Sequence, residues 1–129
     1  MKTTNPKPVI LAVDDSPSIL KIVLSVLGNE YKVYTLTKPM ELINVLMKTK
    51  PDLFLLDYKM PEISGFDLVH VIRGFDEHKN TPIIFLTSMG TIDTVKAAVE
   101  LGASDFVAKP FEPDALRSRI RKHIRKMSA

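Results

Sequence analysis

Six polar residues stand directly behind apolar runs: Asp14 and Asp15 behind Val9–Val13, Asp57 behind Leu53–Leu56, Thr87 and Ser88 behind Ile83–Leu86, and Lys109 behind Ser104–Ala108. Three carboxylates brought together repel one another, and such a cluster persists when a cation or a shifted protonation relieves it. No cysteine or histidine lies beside them. An all-oxygen donor set favours a hard divalent ion, Mg²⁺ with Mn²⁺ as the substitute, which keeps waters and commonly shares its sphere with phosphate oxygens. Carboxylates, hydroxyls and a lysine around such an ion suit phosphoryl chemistry, in which one carboxylate acts as nucleophile and forms an aspartyl phosphate. Asp57, behind the central run, is the candidate nucleophile. Taken singly, each residue also has an ordinary reading: Asp14-Asp15 as a helix cap, Asp57 as a turn former, Thr87-Ser88 as a cap and Lys109 as a solvated loop residue.

The elements that must position these residues follow from the apolar pattern. Val9–Val13, Leu53–Leu56 and Ile83–Leu86 show no alternation, as strands buried on both faces of a parallel sheet do. Lys32–Leu36 and Ser104–Ala108 are weaker strand candidates, and they complete a set of five. Between them helical spacing predicts a first helix over Ser16–Leu27, capped by Asp15 or Ser16, with Ile19, Ile22, Val23, Val26 and Leu27 on one face. The others span Met40–Lys48 (Leu42, Ile43, Leu46), Gly65–Arg73 (Phe66, Val69, Ile72), Thr91–Leu101 (Ile92, Val95, Ala98, Val99) and Pro113–Met127 (Leu116, Ile120, Ile124). Strict β–α alternation implies right-handed crossovers in an α/β fold whose ligands bind beyond the carboxyl ends of the strands. That is where the six polar residues stand.

A chain of 129 residues, 45% hydrophobic and 26% charged, suits one globular domain over 1–129 and excludes a disordered or fibrous class. Residues Met1–Lys7 read as a frayed, flexible end. Val9–Val13 is the longest apolar run, far short of the roughly 20 residues of a membrane helix or the apolar stretch of a signal peptide. The absence of cysteine removes disulfides and thiolate chemistry and fits a cytoplasmic location. His70, His78 and His123 are scattered, which argues against a histidine metal site. Net charge is +3, with residues 112–129 at +4 and the remainder at −1, so the basic balance belongs to the last helix.

The runs Val13-Asp14-Asp15-Ser16, Asp57-Tyr58-Lys59-Met60-Pro61 with Gly65 four residues on, Leu86-Thr87-Ser88 and Gly102 through Phe111 resemble the receiver domain of bacterial response regulators. This is the CheY-like superfamily of two-component signalling, and the likeness covers essentially the whole chain. It implies a flavodoxin-like (βα)5 three-layer sandwich with a five-stranded parallel sheet of order 2-1-3-4-5. It further implies that Asp57 accepts a phosphoryl group from a sensor histidine kinase or a histidine phosphotransfer protein. Mg²⁺ would be held by Asp15, Asp57 and the Lys59 backbone carbonyl, with Asp14 acting mainly through a metal-bound water. Lys109 and Thr87 would each meet a phosphoryl oxygen, Ser88 would supply a backbone amide, and the Phe106 ring would turn inward as Thr87 moves. The Lys109-Pro110 peptide would be cis. The output would be a reshaped face of fourth helix, fifth strand and fifth helix, recognised by a downstream protein or a fused effector domain.

Phe106 stands where tyrosine is frequent in the family, so its ring has no hydroxyl to bond. The resemblance places Lys59 and Met89 at family positions that border the path of attacking water. Arg117, Arg119, Arg121, Lys122, Arg125 and Lys126 surround the Leu116, Ile120, Ile124 stripe, which reads either as a solvated basic face or as a docking surface for an acidic partner or a second receiver. Ala115 replaces the glutamate usual in the contacts of dimerising regulators, which weakens the dimer reading. Direct nucleic-acid binding is not expected with the body of the chain at −1. The alternative, an aspartyl-phosphate phosphohydrolase of haloacid dehalogenase type, needs a second aspartate where Lys59 stands. No phosphate-cradling glycine loop is present, so the expectation is a switch and not a dedicated enzyme.

Overall fold

The computed structural model describes residues 7–88, 92–100 and 102–128. Five parallel strands, β1 (Val9–Val13), β2 (Lys32–Leu36), β3 (Leu53–Asp57), β4 (Ile83–Thr87) and β5 (Asp105–Ala108), form one sheet in the order β2-β1-β3-β4-β5. β1 pairs with both β2 and β3, setting Ala12 opposite Thr35 and Leu55, while β4 joins β3 to β5. The expected order and flavodoxin-like class are therefore the observed ones. Asp57 and Thr87, expected just behind their strands, are the strands' last residues.

The unalternating runs are buried on both faces because each face carries helices. Ile10, Ala12, Leu53, Leu55, Ile84 and Leu86 point to the layer of α1 (Pro17–Leu27) and α5 (Pro113–Ser128). Leu11, Val13, Phe54, Leu56, Ile83 and Phe85 point to the layer of α2 (Leu42–Leu46), α3 (Gly65–Arg73) and α4 (Ile92–Glu100). Fully burying one Leu or Phe contributes about 1.5–3 kcal/mol, so these two layers supply most of the drive to fold.

Several helix expectations are corrected in detail. Of the two expected caps of α1, Ser16 is the one observed, its Oγ accepting from the Ile19 amide at 3.4 Å. The buried face of α1 uses Leu20 where Ile22 was expected, and Ile22 is 47% exposed. Seven of the eleven residues of α1 are apolar, so helical spacing alone admits more than one face, and packing chooses. The second helix splits into a 3₁₀ turn (Pro39–Glu41) and α2, leaving Ile43 half exposed while Leu42 and Leu46 are buried. Val99 is likewise exposed. The third helix has its expected bounds and a capping box in which Ser64 and Asp67 satisfy each other's amides. Thr91, Leu101 and residues 1–6 of the expected frayed end lie outside the described residues. Among the described residues, no helix is long and apolar enough to cross a membrane.

Candidate functional site

The carboxyl ends of β1, β3 and β5 bring three of the predicted groups into direct contact. Asp14 is 1% exposed and Asp57 5% exposed, and the Lys109 ammonium sits between them, 3.0 Å from Asp14 Oδ2 and 3.1 Å from Asp57 Oδ1. The exposed Asp15 completes the group: Asp14, Asp15 and Asp57 each offer a carboxylate oxygen within 4.8 Å of the others. Among the described residues this is the cluster able to hold a metal ion, and it contains no histidine.

Local structure fixes each side chain. Asp14 Oδ1 accepts from the Ser16 amide at 2.9 Å, so this aspartate holds the loop into α1 and leaves its second oxygen for Lys109. Asp57 Oδ1 also accepts from the Lys59 amide at 3.4 Å, which tucks the following loop beneath the carboxylate. The Lys109 amide donates to the Thr87 carbonyl at 2.8 Å, extending the β4–β5 ladder past the strand, and the Lys109-Pro110 peptide is cis as expected. Gly65 closes the Asp57 loop by an approach that a side chain would obstruct. A Cβ there would lie 2.5 Å from Phe85 Cε1 and 3.2 Å from the Asp57 carbonyl oxygen.

Burial, and behind it the neighbouring Asp14 charge, pushes the Asp57 carboxyl up from 3.8 to about 6, against the opposing pull of Lys109. Burial alone would push Lys109 down, but its hydrogen bonds to Asp14 and Asp57 carry the ammonium above its ordinary value. Three carboxylates and one ammonium leave an excess of negative charge facing solvent through Asp15. The donors of this basin are all oxygen, the set whose chemistry suits a hard divalent cation such as Mg²⁺.

Of the remaining predicted residues, Thr87, Ser88 and Phe106 lie at the end of β4 or on β5. Thr87 is buried at the end of β4 and Ser88 is exposed just beyond it. Phe106 is half-buried on β5, opposite Phe85 in the ladder, and packs against the layer of α2, α3 and α4. Met89 lies outside the described residues. Residue spacing did not anticipate Asp105, which joins β5 to α5. Its carboxylate accepts from the Phe106 amide at 2.8 Å, from Arg119 at 2.6 Å and from His123 at 3.0 Å. Although burial pushes Asp105 up, these donors together hold it below the usual carboxylate range. The signal available in the sequence was the Arg119, His123 pair one helical turn apart on α5.

A model of the response regulator receiver domain matches residues 10–121. The chain belongs to that family. This receiver is 38% identical over 123 residues to the "Probable transcriptional regulator ycf27" of Guillardia theta, an alignment covering 93% of this chain and 46% of that protein. It is 42% identical over 86 residues to the "Regulatory protein LuxO" of Vibrio vulnificus, covering 67% of this chain and 18% of that protein. The receiver thus spans about half or less of the length of these curated relatives. Among solved structures, the chemotaxis response regulator CheY4 of Vibrio cholerae superposes with a TM-score of 0.84 at 31% identity, covering 90% of this chain and 98% of that one. The receiver family is a signalling switch, consistent with phosphorylation-dependent control.

Proposed function

We propose that the chain is a single receiver domain over 1–129 that Asp57 phosphorylation switches in the cytoplasm. The observation that carries this reading is the Lys109 ammonium bridging Asp14 and Asp57 with Asp15 alongside, a charge arrangement open to solvent on one side. An Asp57 carboxylate oxygen attacks the phosphorus of a phosphohistidine on a sensor kinase or phosphotransfer protein. The P–N bond breaks, its electron pair returns to the imidazole, and an aspartyl phosphate remains. Asp14, Asp15, Asp57 and the Lys59 carbonyl would hold Mg²⁺, which when bound supplies positive charge to the phosphoryl oxygens. Lys109 then releases Asp57 to meet one phosphoryl oxygen as a point charge, while the Ser88 amide and the Thr87 hydroxyl serve the others. Thr87 moves toward the phosphate, and the space it leaves admits the Phe106 ring.

That motion biases the α4-β5-α5 face between two packings. A groove of about 300 Å³ lies on its β5–α5 part, lined by Phe106, Pro110, Phe111, Glu112, Ala115 and Arg119, and it supports reading this face as the output surface toward a partner or fused effector. The basic helix supports the plainer of its two readings, since Arg117 bonds Asp114, Arg119 bonds Asp105 and Arg121 bonds Glu30. Much of its charge is thus matched within the chain. Lys59 disfavours phosphatase turnover, and the domain assists only its own phosphorylation and dephosphorylation.

The test is beryllofluoride with Mg²⁺, followed by amide resonances and light scattering. Shifts at Thr87, Phe106 and α5 in the native chain, absent from Asp57→Asn, are the expected result. A native chain that does not respond overturns the reading. Doubling of the mass would make a second receiver the partner of the output face, and an unchanged mass would assign that face to another protein. Lys59→Ala should change the lifetime of the aspartyl phosphate by about fivefold, the worth of one charge-assisted contact to the phosphoryl group. An unchanged dephosphorylation rate would remove Lys59 from that role.

A further inference from the structure

At the opposite end of the sheet from the carboxylates, the connection from α3 to β4 closes over a buried histidine. His78, 1% exposed, ends a 3₁₀ turn (Asp76–His78), and its ring meets Phe54 edge-on at 5.1 Å and Phe75 at 6.4 Å. Its backbone is fully engaged: the amide donates to the Phe75 carbonyl, and the carbonyl accepts from Arg73 at 2.8 Å. Arg73 also donates to the Thr81 and Gly102 carbonyls, tying this connection to the turn before β5. The ring itself has one polar partner, Thr81 Oγ1, 2.8 Å from Nδ1. Nε2 is the single buried side-chain nitrogen or oxygen with no hydrogen-bond partner among the described residues.

These contacts select one protonation state. Thr81 Oγ1 lies 3.5 Å from the Glu77 carbonyl, to which it can donate, so its lone pair is left to accept from Nδ1–H. The neutral Nδ1–H ring therefore satisfies every donor and leaves only a bare lone pair at Nε2. A second proton would create a buried N–H with no acceptor and a charge among two phenyl rings, which the closed connection does not accommodate.

We propose that His78 is an acid-sensitive latch: neutral, it closes the α3–β4 connection, and its protonation opens that segment locally while the sheet stays folded. The charged groups facing it are Arg73 from α3, Lys50 and Asp52 from the approach to β3, and Glu77 from its own turn. Burial foremost, then Lys50 and Arg73, hold its pKa below the ordinary 6.5, while Glu77 and Asp52 only partly oppose them. The opened segment takes up a proton that the closed one refuses, so closure is complete above about pH 6.5 and is lost progressively as pH falls below it. Asp57, at the other end of the sheet, carries a raised pKa and acts with the opposite sign.

Hydrogen exchange on the native chain tests the latch, with amides of Leu11 and Ala12 in β1 reporting global opening. Between pH 7 and pH 5, opening at Phe75, His78 and Ile83 should rise at least about tenfold after correction for intrinsic rates, a one-proton opening being limited to tenfold per pH unit. His78→Gln, which keeps a donor toward Thr81 and does not titrate, should show no such rise. Equal acid sensitivity in native chain and variant, or none in the native chain, overturns the proposal. On the unmodified protein, imidazole ¹⁵N resonances should show the Nδ1–H tautomer, still neutral at pH 6.5. An Nε2–H tautomer or a half-protonated ring there would also overturn it.

Discussion

Asp57→Asn should take up no phosphoryl group from acetyl phosphate with Mg²⁺, a loss of at least about a thousandfold, because the amide lacks the anionic oxygen that must form the new bond. Mass spectrometry of the intact chain reads this directly: the native protein gains one acid-labile phosphate and the variant none. Phosphate on the variant at a comparable rate would place the acceptor elsewhere. The same substitution should stabilise the metal-free fold. Asp57 is buried beside Asp14, and its folded pKa of about 6 exceeds the unfolded value of 3.8. A folded state that binds the proton more tightly loses stability as pH rises from the lower value through the upper one. At pH 7 the ionised carboxylate therefore costs the fold energy that a neutral amide does not. After allowance for solvent screening, the gain in unfolding free energy is about 1–2 kcal/mol. Denaturant melts at pH 7 and pH 4.5 check the sign, since the gain should shrink at the lower pH.

Lys109→Ala should have the largest effect on stability. Its ammonium is the common partner of two carboxylates that are 1% and 5% exposed, and its own side chain is only 17% exposed. Removing one partner of a buried ionic group leaves the other charges uncompensated, a loss of about 3–5 kcal/mol. Two responses separate this cause from a simple packing defect. Mg²⁺ should recover more stability in the variant than in the native chain, because the ion replaces the missing positive charge. Acidification through pH 6 should do the same by neutralising Asp57. Thermal melts showing neither response would assign the loss to the side chain's methylenes. Lys109→Arg would not restore the site, because the guanidinium fork is broader than the single Nζ now seated between Asp14 and Asp57.

The central strands and the carboxylate cluster were legible in the sequence for one physical reason. A strand buried on both faces has no polar alternation, so the first charged residue after the run marks both the end of the strand and the rim of the sheet. Val13 to Asp14 and Leu56 to Asp57 are such transitions. α3 was legible because Phe66, Val69 and Ile72 recur at helical spacing and Gly74 terminates the run. α1 was located with Ile19, Val23, Val26 and Leu27 on its inner face, but spacing put Ile22 in the place of Leu20, because the two are equally apolar and only the neighbouring β1 and α5 distinguish them. The split of the second helix follows Pro39, whose fixed φ suits a first turn but donates no amide hydrogen bond. Contacts that join remote segments through one polar atom left no periodic trace. Arg73 reaching Gly102, 29 residues further along the chain, is of this kind.

The charged ends of the central strands also matter to the chain before it folds. Leu53–Leu56 is a short, wholly apolar, uncharged segment that forms a strand in the fold and is sticky when exposed between unfolded molecules, and Asp52 and Asp57 flank it on both sides. Asp14 and Asp15 close Val9–Val13 in the same way, and Pro82 precedes Ile83–Leu86. The carboxylates of the proposed phosphoryl site thus serve as gatekeepers against aggregation, repelling neighbouring chains where the stickiest segments end. Asp57→Asn would therefore yield a native state harder to unfold and an unfolded state quicker to clump.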